Sequence, residues 1–115
     1  MAASTERKQS EVLHKLRVGD LVVDLVARRV MRGDQEVELA PKEYELLVFF
    51  ARNPGRAFSR EEIYEQVWDD ATKASSRAAD VTVARLRRKL NLTDQLRVVR
   101  KYGYRLDIPA SPPSA

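Results

Sequence analysis

Short apolar runs broken by turn residues fill the stretch from Leu16 to Leu39. Leu16-Arg17-Val18 and Leu21-Val22-Val23-Asp24 flank Gly19-Asp20, the spacing of a tight turn between two strands. Arg29-Val30-Met31-Arg32 and Glu36-Val37-Glu38-Leu39 flank Gly33-Asp34-Gln35 in the same way. Polar and apolar residues alternate around the second turn, which predicts a small antiparallel sheet with one wet face. The period then changes. Pro41 opens a helix at a first-turn position, where its missing N–H is tolerated. Tyr44, Leu47, Val48 and Ala51 follow at i, i+3, i+4 and i+7, a buried stripe. Asn53-Pro54-Gly55 ends that helix. Ser59-Arg60-Glu61-Glu62 has the spacing of a capping box and starts a second helix, with Ile63, Val67 and Trp68 as its apolar side. Asp69 to Ser76 has no periodic apolar residue and reads as a loop. A third helix is predicted from Arg77 to Leu90, then a hairpin: Leu96 to Val99 and Tyr104 to Leu106 around Arg100-Lys101-Tyr102-Gly103, with glycine at the turn. The fold class is α+β: four strands, three helices, then a hairpin.

The chain has 115 residues, enough for one domain of ordinary size. Residues 1–15 read as a flexible arm or linker, 16–107 as the folded domain, and 108–115, rich in Pro and Ser, as a disordered tail. There is no cysteine, which removes disulfide scaffolds, thiolate metal sites and cysteine nucleophiles. The single histidine, His14, builds neither a histidine metal site nor a catalytic triad. No nucleophile, base and orienting group converge, and none of the four glycines has a phosphate-cradling spacing. No catalytic residue, metal or cofactor is therefore expected. No apolar run approaches a membrane span, and the first residues lack the pattern of a secretory signal, so a soluble cytoplasmic domain is expected.

Charge changes the picture because it is uneven. Residues 77–105 hold nine positive and two negative side chains, a net of +7 in a chain whose total is +4. One-sided charge of this kind suits a polyanion, nucleic acid first and anionic membrane second. On the third helix Ala79, Val83, Leu86 and Leu90 share one face, the core stripe. The opposite face carries Val81, Arg85 and Arg88, with Arg77 and Ala78 one turn earlier. An arginine fork bonds guanine O6 and N7 together, and an aliphatic side chain meets a thymine methyl, so this face fits a major groove. The plainer alternative is a solvated basic face, but Arg85 and Arg88 have no acidic i, i+4 partner there. The hairpin adds Arg97, Arg100, Lys101 and Arg105 around Tyr102-Gly103-Tyr104. Such a ribbon reaches a minor groove, or simply protects a sheet edge. Membrane binding fits poorly, because the basic helix spends its apolar stripe on the core.

The runs 39–47, Ser59-Arg60-Glu61-Glu62-Ile63, Val67-Trp68, 77–90 and 99–106, in this order and spacing, resemble the C-terminal effector domain of OmpR/PhoB-type response regulators, a winged helix-turn-helix. The resemblance implies an N-terminal four-stranded antiparallel sheet, three helices and a C-terminal hairpin wing. It implies sequence-specific binding of double-stranded DNA by a two-component transcription regulator. The third helix would lie in the major groove and Arg100 of the wing in the minor groove. Arg77 would grip a phosphate, Val81 and Arg85 would face base edges, and Arg87 and Arg88 would form a basic pair with Arg87 near the DNA backbone. Trp68, through its indole N–H, and Tyr104, through its hydroxyl, would contact the backbone; the plainer alternatives are a core anchor and a hairpin packing residue. Asp80 reads as an intramolecular partner orienting a nearby arginine.

Several positions depart from the family. Ala40 replaces a hydroxyl N-cap, an expected cost of about 1 kcal/mol. Ala78 and Ala84 stand where hydroxyl, basic or polar residues are usual. Lys101 replaces a glycine, so the wing tip is expected to bend differently or lengthen, and Lys101 to add charge at the minor groove. In the family the loop before the third helix can touch RNA polymerase, which here points to Asp69, Asp70, Thr72 and Lys73; the alternative is a connector whose Ser76 caps the helix. The family also implies head-to-tail dimers on direct repeats and an upstream receiver domain. The residues before Leu16 are too few for that domain, so the chain is expected to be an effector fragment, the alternative being a free-standing effector. The rival function is a protein-interaction winged helix that docks on RNA polymerase or another regulator without reading DNA.

Overall fold

The computed structural model describes residues 14–70 and 76–108. The arm up to residue 13, Thr72 and Lys73 of the loop, and the tail from 109 lie outside the described residues. The chain divides into two compact units, Met1–Glu38 and Leu39–Ala115.

In the first unit β1 (Lys15–Val18), β2 (Leu21–Asp24), β3 (Arg29–Arg32) and β4 (Gln35–Val37) form one antiparallel sheet in that order. Leu16 pairs with Val23, Val23 with Val30 and Val30 with Val37, so these four share a face. Arg17, Val22, Met31 and Glu36 line the other, which is the alternation the sequence predicts. The strand boundaries differ slightly from expectation. β1 takes in Lys15, assigned above to the arm, and β4 spans Gln35–Val37 rather than running on to Leu39. The two-residue turns allow this, because Gly19 and Gly33 at φ +60° and +62° reverse the chain without longer loops.

The second unit starts with α1 (Pro41–Ala51). Its N-cap residue Ala40 has no side-chain acceptor, but Glu43 Oε1 accepts the Ala40 N–H at 2.9 Å, so half of a capping box survives. Glu43 is only 3% exposed and also accepts from Lys89 Nζ at 2.7 Å. Burial pushes its carboxyl up, yet Lys89 and the Ala40 amide outweigh that and hold it below its ordinary value. The predicted stripe is buried at Tyr44, Leu47 and Ala51, joined by Leu46 and Phe50, while Val48 is half-buried.

β5 (Ala57–Ser59) follows, a strand too short for the sequence pattern to announce. Ser59 then caps α2 (Arg60–Val67) with both halves of its box formed: Ser59 Oγ accepts from the Glu62 amide and Glu62 Oε1 from the Ser59 amide. α3 spans Ala78–Lys89, one residue shorter at each end than predicted, with Arg77 and Leu90 as its caps. It closes in a Schellman turn: Asn91 takes φ +54° and the Leu92 amide donates to the Arg87 carbonyl at 3.0 Å. The core stripe of α3, Ala79, Val83, Leu86 and Leu90, is buried, and α1, α2 and α3 pack on one another.

β6 (Leu96–Val99) and β7 (Gly103–Leu106) complete a three-stranded antiparallel sheet of order β5-β7-β6. Here the expected turn glycine is corrected. Gly103 lies in β7 opposite Ser59, and a Cβ at that position would run into the Phe58 carbonyl. The left-handed residue of the turn is Lys101, at φ +61°. Lysine thus occupies a glycine-like conformation. That backbone costs roughly 1–2 kcal/mol in a residue with a Cβ.

Gly103→Ala is expected to lower the unfolding free energy by about 3 kcal/mol, measured by urea denaturation, because backbone must move. Lys101→Gly is expected to keep stability or raise it by up to about 1 kcal/mol in the same assay. Glu43→Gln should cost about 1 kcal/mol at pH 7, a modest loss because Lys89 stays partly hydrated. The carboxyl is lowered in the folded state, so the wild-type advantage is complete above 4.5 and fades as pH falls below it. Thermal melts of both proteins between pH 7 and pH 3 read this difference.

Candidate nucleic-acid interface

The interface is built on a buried phenol. Tyr64 of α2 is wholly buried, and its hydroxyl donates to the Ser76 carbonyl at 3.0 Å. The same oxygen accepts from Ser76 Oγ at 3.0 Å and from the Ala79 amide at 2.8 Å. These bonds hold the residues just before α3 and its first turn against α2. Ser76 Oγ also accepts from the Ala78 amide at 3.3 Å, so Ser76 serves the helix start as expected, although Arg77 occupies the N-cap position. Sequence reasoning missed Tyr64, which lies beside the Ile63–Val67 stripe. The available signal was a phenol next to a core residue, whose oxygen needs partners when buried.

With its start fixed, α3 turns Val81, Ala84, Arg85 and Arg88 outward, Val81 being 42% exposed. Arg77 is exposed at the N-terminus of the helix, where backbone N–H groups point outward. Among the described residues neither Arg77, Arg85 nor Arg88 forms an ion pair, so their charge is free for a partner. Lys89 is spent on Glu43. Arg87 is half-buried and sends Nη2 to the Thr93 carbonyl at 3.3 Å, so it is partly engaged inside the protein.

The wing brings Arg100, Lys101 and Tyr102 to an exposed tip, with Tyr102 49% exposed. Arg105 is held by both carboxylate oxygens of Asp107, at 2.7 and 3.0 Å, and among the described residues Arg100 and Lys101 at the tip form no ion pair. The Tyr104 hydroxyl donates to Asp80 Oδ1 at 2.7 Å, so its proton is engaged inside the protein. Burial first, and then this bond to a carboxylate, push its pKa up to about 12, so the proton stays in place. Asp80 is the internal partner anticipated, pairing with Arg60 Nη2 at 2.9 Å.

Trp68 is half-buried at the C-cap of α2, its ring 5.1 Å from that of Tyr64 and Lys42 Nζ 6.0 Å above it. That geometry is the anchor reading, with part of the indole left accessible. Asp69 is exposed at φ +58° and the Asp70 amide donates back to the Tyr64 carbonyl, so both help to end α2. The structure therefore brings Arg77, Val81, Arg85 and Arg88 to one helix face and Arg100 and Lys101 to one hairpin tip. Among the described residues no group of acidic or histidine side chains could hold a metal ion, and no helix is long and apolar enough to cross a membrane.

Known proteins share this arrangement. The family model described as "Transcriptional regulatory protein, C terminal" matches residues 34–106. The phosphate regulon transcriptional regulatory protein PhoB of Rhizobium meliloti is 41% identical over 109 residues, which cover 91% of this chain and 48% of that protein. The transcriptional regulatory protein CusR of Escherichia coli is 40% identical over 98 residues, covering 83% and 43%. The chain thus spans about half the length of the curated relatives it matches. Among solved structures, the DNA-binding domain of Klebsiella pneumoniae RstA in complex with the RstA box superposes with a TM-score of 0.74 at 27% identity, covering 81% of this chain and 96% of that one. The DNA-binding domain of CpxR from Escherichia coli gives 0.74 and 27%, covering 84% and 98%. A four-stranded sheet, three helices and a wing, together with these matches, make the chain a member of the transcriptional regulatory protein C-terminal family, an effector domain of the OmpR/PhoB type.

Proposed function

We propose that this domain reads double-stranded DNA by sequence, as the effector module of a two-component transcription regulator acting in the cytoplasm. The observation that carries the reading is one helix face with Val81, Arg85 and Arg88 outward and a wing tip with Arg100 and Lys101 exposed, none of these cations forming an ion pair among the described residues. α3 enters the major groove, where Val81 and Arg85 meet base edges. Arg77 and Arg88 grip phosphates and give affinity without sequence information. Arg87 and Trp68, both partly engaged inside the protein, are secondary contacts to the backbone. Arg100 reaches the minor groove and Lys101 adds charge beside it. The RstA domain, solved with its DNA box, supports the reading by likeness of fold.

The finer assembly belongs to the same proposal. Residues 16–107 act as the DNA-binding module, two copies bind head to tail on direct repeats, and a receiver domain governs them in the full-length regulator. The segment that includes Asp69, Asp70, Thr72 and Lys73 faces RNA polymerase.

Selection from a randomised duplex library at about 100 mM salt tests the central claim, a regime in which non-specific binding is still strong. Wild type should enrich a short motif. Arg85→Ala should lose discrimination at one base step, by about 1–3 kcal/mol, with the other positions kept. Equal weakening on every sequence would remove Arg85 from the base edges, and saturable binding to polymerase with no enriched motif would favour the protein-docking role. With about six phosphate contacts, log affinity against log salt should have a slope near −5, and Arg77→Ala should make it shallower by about 1.

A further inference from the structure

Three elements converge on one carboxylate. Asp80 in the first turn of α3 accepts the Tyr104 hydroxyl from β7 on Oδ1 and the Arg60 guanidinium from α2 on Oδ2. Arg60 is itself fixed at three points: Nη2 also donates to the Ser76 carbonyl at 2.8 Å, and its own amide donates to the Tyr102 carbonyl at 3.2 Å in the wing turn. Arg60, Asp80, Tyr104 and the tip residues Lys101 and Tyr102 line one cleft between the start of α3 and the wing. The base of the wing is held by pairing of β5 with β7, which ends at Gly103. Beyond Gly103 the tip has no third strand and is tied back only at the Tyr102 carbonyl, while the link from the wing sheet to α3 runs through Tyr104, Asp80 and Arg60 side chains.

We infer that Asp80 is a positioning residue that locks the wing to the recognition helix, so that the contribution of Arg100 to binding depends on Asp80. The inference rests on the DNA-reading role proposed above. Asp80 touches no DNA in this scheme. With the lock in place, docking α3 delivers the wing tip to its groove already oriented, and no separate ordering of the hairpin opposes the Arg100 contact. Without it, the hairpin keeps its strand pairing but its angle to α3 loosens, and the cost of fixing that angle on DNA cancels much of what Arg100 adds. Arg85 lies on α3 itself, so its contribution does not pass through the lock.

The test is a pair of double-mutant cycles on a duplex carrying the selected motif, read by fluorescence anisotropy. Arg100→Ala and Arg85→Ala are each made in wild type and in Asp80→Ala, with thermal melts to confirm cooperative folding. Arg100→Ala should weaken binding about ten-fold in wild type and less than about three-fold in Asp80→Ala, a coupling within the usual range for linked sites. Arg85→Ala should cost the same factor in both. Asp80→Asn, which can still accept from Tyr104 but loses the charge facing Arg60, should fall between. Equal costs of Arg100→Ala in the two backgrounds would overturn the lock. Equal attenuation of Arg85 and Arg100 would also overturn it, since that is the signature of a general structural defect. Should wild type bind the motif no better than a scrambled duplex, the DNA-reading proposal itself fails, an outcome distinct from either.

Discussion

A buried phenol oxygen has to find partners, and that requirement organises the domain. Tyr64 is enclosed in the core, where an unsatisfied hydroxyl would cost about 1–3 kcal/mol. Its three bonds all go to the chain between α2 and α3 or to the first turn of α3. One donor and two acceptor positions are thereby used in full. Ser76, just before α3, is held by this hydroxyl together with Arg60 Nη2. The rotation of α3 about its axis follows from that point together with the stripe Ala79, Val83, Leu86. Which side chains face outward is then no longer free.

The basic face is produced by selective neutralisation more than by accumulation of charge. Residues 77–105 are strongly basic, yet Lys89 and Arg105 are consumed by Glu43 and Asp107, and Arg87 turns partly to a carbonyl. Glu43 performs two tasks with one carboxylate, closing the start of α1 and receiving the end of α3. Among the described residues, Arg77, Arg85 and Arg88 on α3 and Arg97, Arg100 and Lys101 on the hairpin are the positive side chains of this segment left exposed and outside any ion pair.

Most of this was legible in the residues. The sheet register came from alternation, the helices from stripes and caps, and the outward face of α3 from a helical projection. The misses share a cause: they are contacts between segments distant in sequence. β5 exists because β7 offers it an edge, not because Ala57-Phe58-Ser59 has a strand pattern. Gly103 read as a turn glycine because Phe58 could not be seen pressing on it. The bond from the Tyr104 hydroxyl to Asp80 was not foreseen because the two lie 24 residues apart. The Ala40 departure was visible as a lost cap, while its partial repair by Glu43 depended on an acid already committed to Lys89.

Lys101 holds a conformation that suits glycine, and it does so at an exposed position of the wing tip. At this one position a cation and an easy backbone are exchanged for each other. Neither choice touches the core, the helices or the strand register. Affinity for a polyanion and thermal stability can therefore drift in opposite directions here under selection, with the fold left unchanged.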